Sequence, residues 1–225
     1  LWDVADDHGG SIEAFGKAVA AWPQILPAIA VDLARLGGLD FAVDALFEIA
    51  ESDPDRERSA LTATEAARAA IGAGQFERAM TIARYALLKS RSSAAALDVA
   101  EVAAARASSL TDLSLLYGDV AARALGKFGR RAAHYRGARF FETRGEVALA
   151  LKHATDAFIA VPSEGAIFQL LSRLANRSGG RSDAVKAIET VADRSSPEQR
   201  AGWLVRAAQI AGRDLEGARQ RVDLL

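Results

Sequence analysis

Cysteine is absent from this chain. That absence removes a disulfide scaffold, a thiolate metal site and a cysteine nucleophile together. Aromatic residues make up only 7%, and runs of β-branched residues are short, which argues against a sheet protein. Long apolar runs are missing too. The most apolar stretch, positions 18–31, is interrupted by Pro23 and Pro27. It falls short of the roughly 20 apolar residues that a membrane span needs, so no membrane insertion is expected. Neither charge sign dominates: 28 Lys and Arg against 29 Asp and Glu leave a net charge of -1.

What the chain does have is alanine, 50 of 225 residues, with 50% hydrophobic and 25% charged residues overall. That is too apolar for a disordered chain. Abundant Ala, Leu, Arg and Glu favour helix, because these side chains lose little freedom there. The composition therefore points to an all-α domain. The chain begins at Leu1 without a methionine and ends at Leu225 inside an apolar helical pattern. It reads as a segment of a longer protein. Its compartment is left open: absence of cysteine suits cytoplasm, the preferred reading, and periplasm alike.

A period is visible. Gly37, Gly74, Gly145 and Gly179 each precede a helical stretch with small or apolar residues at steps of three and four. Glycine suits a helix C-terminus that needs positive φ. Pro54 and Pro162 close two of these stretches, since proline has no N–H to donate. Helical segments at positions 26–36, 60–73, 131–144 and 166–177 precede the glycines. The step from Gly145 to Gly179 and the slightly longer one from Gly37 to Gly74 match a helix-pair repeat of about 34 residues. The interval from Gly74 to Gly145 is about twice as long and leaves room for one further repeat. In that repeat Ser108-Ser109 stands where the glycine would be. Gly9-Gly10 marks a turn in a divergent first segment.

The pattern resembles the tetratricopeptide repeat (TPR) family, whose unit is an antiparallel helix pair of about 34 residues. The copy at 131–164 matches best, with Gly137 and Ala138 at the small crossing position, Phe141 at the large apolar one, and Ala150, Ala157 and Pro162. The copy at 23–56 matches through Ala30, Leu33, Ala42, Leu46, Ile49 and Pro54. The copy at 60–93 carries Ala67, Ala70, Ala79, Ala83 and Ala86, without a proline. The copy at 165–198 carries Ser172, Ala175, Ala184, Ile188, Val191 and a displaced Pro197. A copy of ambiguous register fills 94–127, a partial one 1–22, and a shortened one 199–225, with Trp203, Gly212 and Ala218. The resemblance implies one α-solenoid of helix hairpins over 1–225, wound as a right-handed superhelix. Stacked hairpins bury a continuous core that no single pair can bury. Another α-solenoid or a helical bundle is the competing architecture.

Motifs for chemistry are sparse. No His-x-x-x-His pair lies on one helix turn, and no cysteine is available, so neither zinc nor a cofactor is expected. His134 and His153 could approach each other across one helix pair. Ser178-Gly179-Gly180-Arg181-Ser182 lacks the Gly-Lys-Ser/Thr ending of a phosphate loop and reads as a turn. Glu51, Asp53, Asp55 and Glu57, interleaved with Arg56 and Arg58, read as a solvated turn. No Gly-x-Ser-x-Gly elbow is present. An enzyme is not expected.

Charge is unevenly spread. Positions 1–60 carry four cations against 12 acids, a net -8, so the remainder carries +7. The basic part is densest at Lys127, Arg130, Arg131, Arg136, Arg139 and Arg144, with Glu142 its one acid. The resemblance implies that the first helix of each pair lines a concave groove. Arg35, Arg68, Arg106, Tyr135, Arg139, Arg173, Asn176 and Arg177 are the candidates to project there. Arginine forks bind carboxylates in a bidentate fashion, and Tyr135 would supply an amphipathic anchor. The groove would hold a protein or peptide segment rich in Asp and Glu, or a C-terminal carboxylate. The plain alternative is a solvated face with arginines chosen for helicity. Chaperone-cofactor members of the family clamp a terminal carboxylate with a Lys and an Asn. Here Arg68 or Arg139 takes the place of that Asn and the leading Lys is absent. A nucleic-acid platform would need more exposed aromatics. The expectation is a protein-interaction scaffold. A self-associating spacer, using Val222, Leu224 and Leu225, is the alternative. A small-molecule sensor or enzyme domain ranks below both.

Overall fold

Helix-favouring stretches and the small residues between them set where the chain turns. The computed structural model describes residues 8–91 and 93–212. Among them eleven α-helices follow one another: α1 (His8–Ala21), α2 (Leu26–Ser52), α3 (Arg56–Gly72), α4 (Phe76–Lys89), α5 (Ala94–Ala107), α6 (Leu110–Arg123), α7 (Gly126–Thr143), α8 (Val147–Ala160), α9 (Gly165–Ser178), α10 (Arg181–Ala192) and α11 (Pro197–Ala211). No strand occurs among the described residues. The fold is all-α. Ala218, Val222, Leu224 and Leu225 lie outside the described residues.

The chain divides into two compact units, Leu1–Leu116 and Tyr117–Leu225. Within the first, α2 packs on α3, α3 on α4 and α4 on α5, and α3 also reaches α5. Within the second, α7 packs on α8, α8 on α9, α9 on α10 and α10 on α11. There α8 also touches α10, and α9 touches α11. Alanine sits at the contacts between neighbours. Ala42, Ala67, Ala79, Ala138 and Ala150 are all fully buried. A larger side chain at such sites would force neighbouring side chains and backbone to shift.

The turns follow local chemistry. Gly145 and Gly179, 34 residues apart, have φ of 78° and 71°, the left-handed region in which a Cβ is strained. Ser108 takes the same role at φ 57°, as its place in the period predicts. Pro54 and Pro162 follow the ends of α2 and α8. The Asp55 carboxylate accepts the Arg58 N–H at 2.9 Å, and Ser93 Oγ accepts the Ala96 N–H at 3.2 Å. Each cap satisfies a helix-start donor. The Asp55 cap starts α3 at Arg56, ahead of the expected Ala60.

Four further expectations are corrected. Gly38, not Gly37, takes the left-handed turn, with φ 85° and ψ 176°, and kinks α2. Gly37 stays helical, and a Cβ there would lie 2.6 Å from the Phe41 ring, so it is the missing side chain rather than the turn that position 37 uses. Gly9-Gly10 is not a turn but the start of α1. Ile12 and Phe15, half-buried, and Val19, buried, carry the helical pattern straight on from it. Pro197 ends nothing: it opens α11, where its missing N–H is not needed. The α7 helix begins at Gly126 rather than Arg131.

The acidic turn between α2 and α3 is built rather than merely solvated. Arg58 Nε and Nη2 donate to the two carboxylate oxygens of Asp53 at 2.5 and 2.7 Å. Hydrogen bonding from Arg58 holds the Asp53 carboxyl below the usual range, against the opposing effect of burial. Arg56 Nη2 reaches the Leu88 carbonyl at 3.1 Å. Ser59 Oγ and Tyr85 Oη both donate to the Ala50 carbonyl, at 2.6 and 3.3 Å. Side chains of α3 and α4 thereby bind the end of α2.

Candidate functional site

The predicted residues on α7 and α9 meet at one carboxylate. Arg139 and Glu142 stand three residues apart on α7 and therefore share a helix face. Arg139 Nη1 donates to Glu142 Oε2 at 3.2 Å. Arg173 of α9 donates from Nε and Nη2 to Glu142 Oε1 at 2.9 and 2.8 Å. The Glu142 side chain is 11% exposed, while Arg139 and Arg173 are 51% and 49% exposed. Arg139 and Arg173 stand 34 residues apart in sequence, as Gly145 and Gly179 do. One arginine from α7 and one from α9 therefore converge on a single acid. Two cations on one anion leave a local charge of +1. Each guanidinium has five N–H donors. Arg173 commits donors on two nitrogens and Arg139 on one, so both retain donors for an incoming carboxylate.

The neighbouring predicted residues divide. Tyr135 is half-buried, one turn before Arg139 on α7. Arg177 is exposed in the last turn of α9, where a cation suits the helix dipole. Asn176 turns elsewhere: its Oδ1 accepts from Arg181 Nε at 3.1 Å. Other cations of the basic stretch are also engaged. Arg131 pairs with Glu164 at 3.1 Å, and the Arg144 guanidinium lies 4.6 Å from the Phe140 ring centroid.

In the first compact unit the predicted arginines stay separate. Arg35 pairs with Asp32 of its own helix at 3.4 Å. Arg68 pairs with Glu65, also of its own helix. Arg106 is exposed near the end of α5 and makes no ion pair with a described residue. None of the three shares an acid with another. A separate open depression between α1 and the end of α2 is lined by Glu13, Lys17, Glu48, Asp53 and Arg58.

A second cluster lies between α7 and α8. His134 Nδ1 and His153 Nδ1 are 3.0 Å apart, within hydrogen-bond distance. Asp156 Oδ2 is 3.8 Å from His134 Nδ1. His153 is buried, with Phe141 stacked on its ring at 5.4 Å and Tyr117 edge-on at 5.6 Å. Gly137 makes room for this packing: a Cβ there would lie 3.0 Å from Tyr117 and 3.3 Å from His153. Burial pushes the His153 imidazole down to about 3, with help from His134 and Lys152. Burial also lowers His134, with Asp156 opposing and Lys152 assisting. Both rings are therefore neutral at pH 7.

Sequence reasoning missed Glu142 as the hub and Asp156 and Tyr117 as neighbours of the histidines. The available signal for Glu142 was its place as the lone acid three residues after Arg139. For Asp156 it was the three-residue step from His153. No helix among the described residues is long and apolar enough to cross a membrane. No protein-family model matches the chain, and no curated protein matches it.

Proposed function

We propose that this chain is a repeat protein of tetratricopeptide type that binds partner segments through arginines on the first helices of its hairpins. The partner is a protein or peptide segment rich in Asp and Glu, or one ending in a free carboxylate. The observation that carries the reading is the convergence of Arg139 and Arg173 on Glu142. It puts two half-exposed guanidiniums side by side, in register with the repeat. Consecutive hairpin packing and the left-handed glycines at 145 and 179 support the repeat reading. Specificity would come from the paired forks, since Arg recognises carboxylates through directed donors. Tyr135 and Arg177 flank that pair along the same two helices.

The reading is tested with a fluorescein-labelled acidic peptide and its Gln/Asn counterpart. Anisotropy titrations compare wild type with an Arg139→Glu, Arg173→Glu double variant. Saturable binding of the acidic peptide that falls at least about tenfold in the variant supports the reading; a tenfold loss is about 1.4 kcal/mol. Equal binding by both proteins, or by both peptides, contradicts it.

A further inference from the structure

We propose that His134, His153 and Asp156 form a three-ligand site for a borderline divalent transition ion, with Zn2+ as its occupant. His153 and Asp156 are three residues apart on α8 and share one helix face. His134 faces them from α7. Each residue offers one donor atom, and the three atoms lie within 4.8 Å of one another. In a tetrahedral site with bonds of about 2.0–2.1 Å, neighbouring donors stand about 3.3 Å apart. The observed 3.0 Å between the imidazole nitrogens and 3.8 Å from His134 to the carboxylate lie on either side of that spacing.

The donor set suits the ion class. Two imidazole nitrogens and a carboxylate oxygen form a mixed N/O site, which zinc accepts readily. Three protein ligands leave a fourth position for water. The surroundings supply both rigidity and access. Phe141 and Tyr117 fix the His153 ring, while the Asp156 side chain is 39% exposed and His134 14% exposed. Entry is from the Asp156 side, where the carboxylate can swing onto the ion. Lys152, the nearby cation, is exposed, so solvent screens its repulsion.

The metal-free pair is held by one shared proton. One imidazole carries its proton on Nδ1 and donates it to the other Nδ1. Metal binding at both Nδ1 atoms requires that proton to leave Nδ1, for Nε2 of its own ring or for solvent. The ion would then tie α7 to α8 beside Gly137, where the two helices approach closely.

Tag-free protein, stripped with EDTA and dialysed, is titrated with ZnCl2 by calorimetry and with Co2+ by visible absorption. The expected result is one Zn2+ per chain and the intense absorption of four-coordinate Co2+. His134→Gln and Asp156→Asn, checked for unchanged circular dichroism, should each weaken Zn2+ binding at least about tenfold; even an outer-shell loss costs about 10–100-fold. If His134→Gln disturbs packing, the more exposed Asp156→Asn decides alone. Absence of saturable binding by wild type, or wild-type affinity in a folded variant, overturns the site.

Discussion

Arg173 places both Nε and Nη2 on one oxygen of Glu142, at 2.9 and 2.8 Å. This contact joins α7 to α9, and Arg139 completes it on the other oxygen. On the proposed reading, Glu142 competes with the partner carboxylates for the two arginines. Glu142→Gln should lower stability by about 1 kcal/mol, the scale of a partly exposed charged network. It should also tighten binding of an acidic peptide several-fold. Urea unfolding and anisotropy on the same protein check the two effects, and weaker peptide binding would contradict the competitor role.

The approach of α7 to α8 depends on a missing side chain. Gly137 lies against the buried rings of Tyr117 and His153. Alanine in a helix interior normally gains about 1 kcal/mol over glycine. Here crowding should outweigh that gain, since overpacking costs roughly 1–3 kcal/mol. Gly137→Ala should therefore lower the unfolding free energy in urea. A stabilised variant would show that the rings have room to yield.

Ser108 is the one described non-glycine residue with positive φ, at 57°. A left-handed conformation costs an ordinary residue roughly 1–2 kcal/mol. Glycine adds some unfolded-state entropy, about 0.5–1 kcal/mol. Ser108→Gly should therefore stabilise the protein slightly, by about 0.5–1 kcal/mol. Gly145→Ala, at φ 78°, should do the opposite by about 1 kcal/mol. Thermal melts of the two variants check both signs.

Acid sensitivity should centre on the turn between α2 and α3. Arg58 holds the Asp53 carboxyl below its ordinary value of 3.8. A depressed folded-state pKa contributes stability that is fully present above the unfolded value. That contribution is lost as pH falls below 3.8 and through the folded-state value. Wild type should lose more stability than Asp53→Asn as pH falls from about 5 through 3.8 and below. Parallel pH profiles for the two proteins would remove Asp53 as the source of the acid sensitivity.

Helix positions and most turns were legible because glycine, proline and alanine act locally. Gly74, Gly145 and Gly179 all have positive φ, and the alanines at 42, 67, 79, 138 and 150 are buried. Adjacent glycines were not separable by pattern. Gly38 takes the turn, while Gly37 lies against the Phe41 ring, a difference set by packing. The site was legible only as a set of exposed cations. Their partners arise from contacts between helices, so the family resemblance singled out Arg139 and Arg173 but not the acid they share. The histidines show the same limit. The interval between His134 and His153 matches no single-helix motif, and only the antiparallel turn at Gly145 brings the rings together.

The most direct test of acidic-segment binding locates the contact. NMR of arginine Nε–Hε groups during titration with an acidic peptide reads each guanidinium separately. Saturable shifts are predicted at Arg139, Arg173 and Arg177, with Arg58 unmoved, because Arg58 and Asp53 form a neutral one-to-one pair of side chains only 23% and 7% exposed. Saturable binding that leaves Arg139 and Arg173 unshifted would contradict a role for the paired arginines.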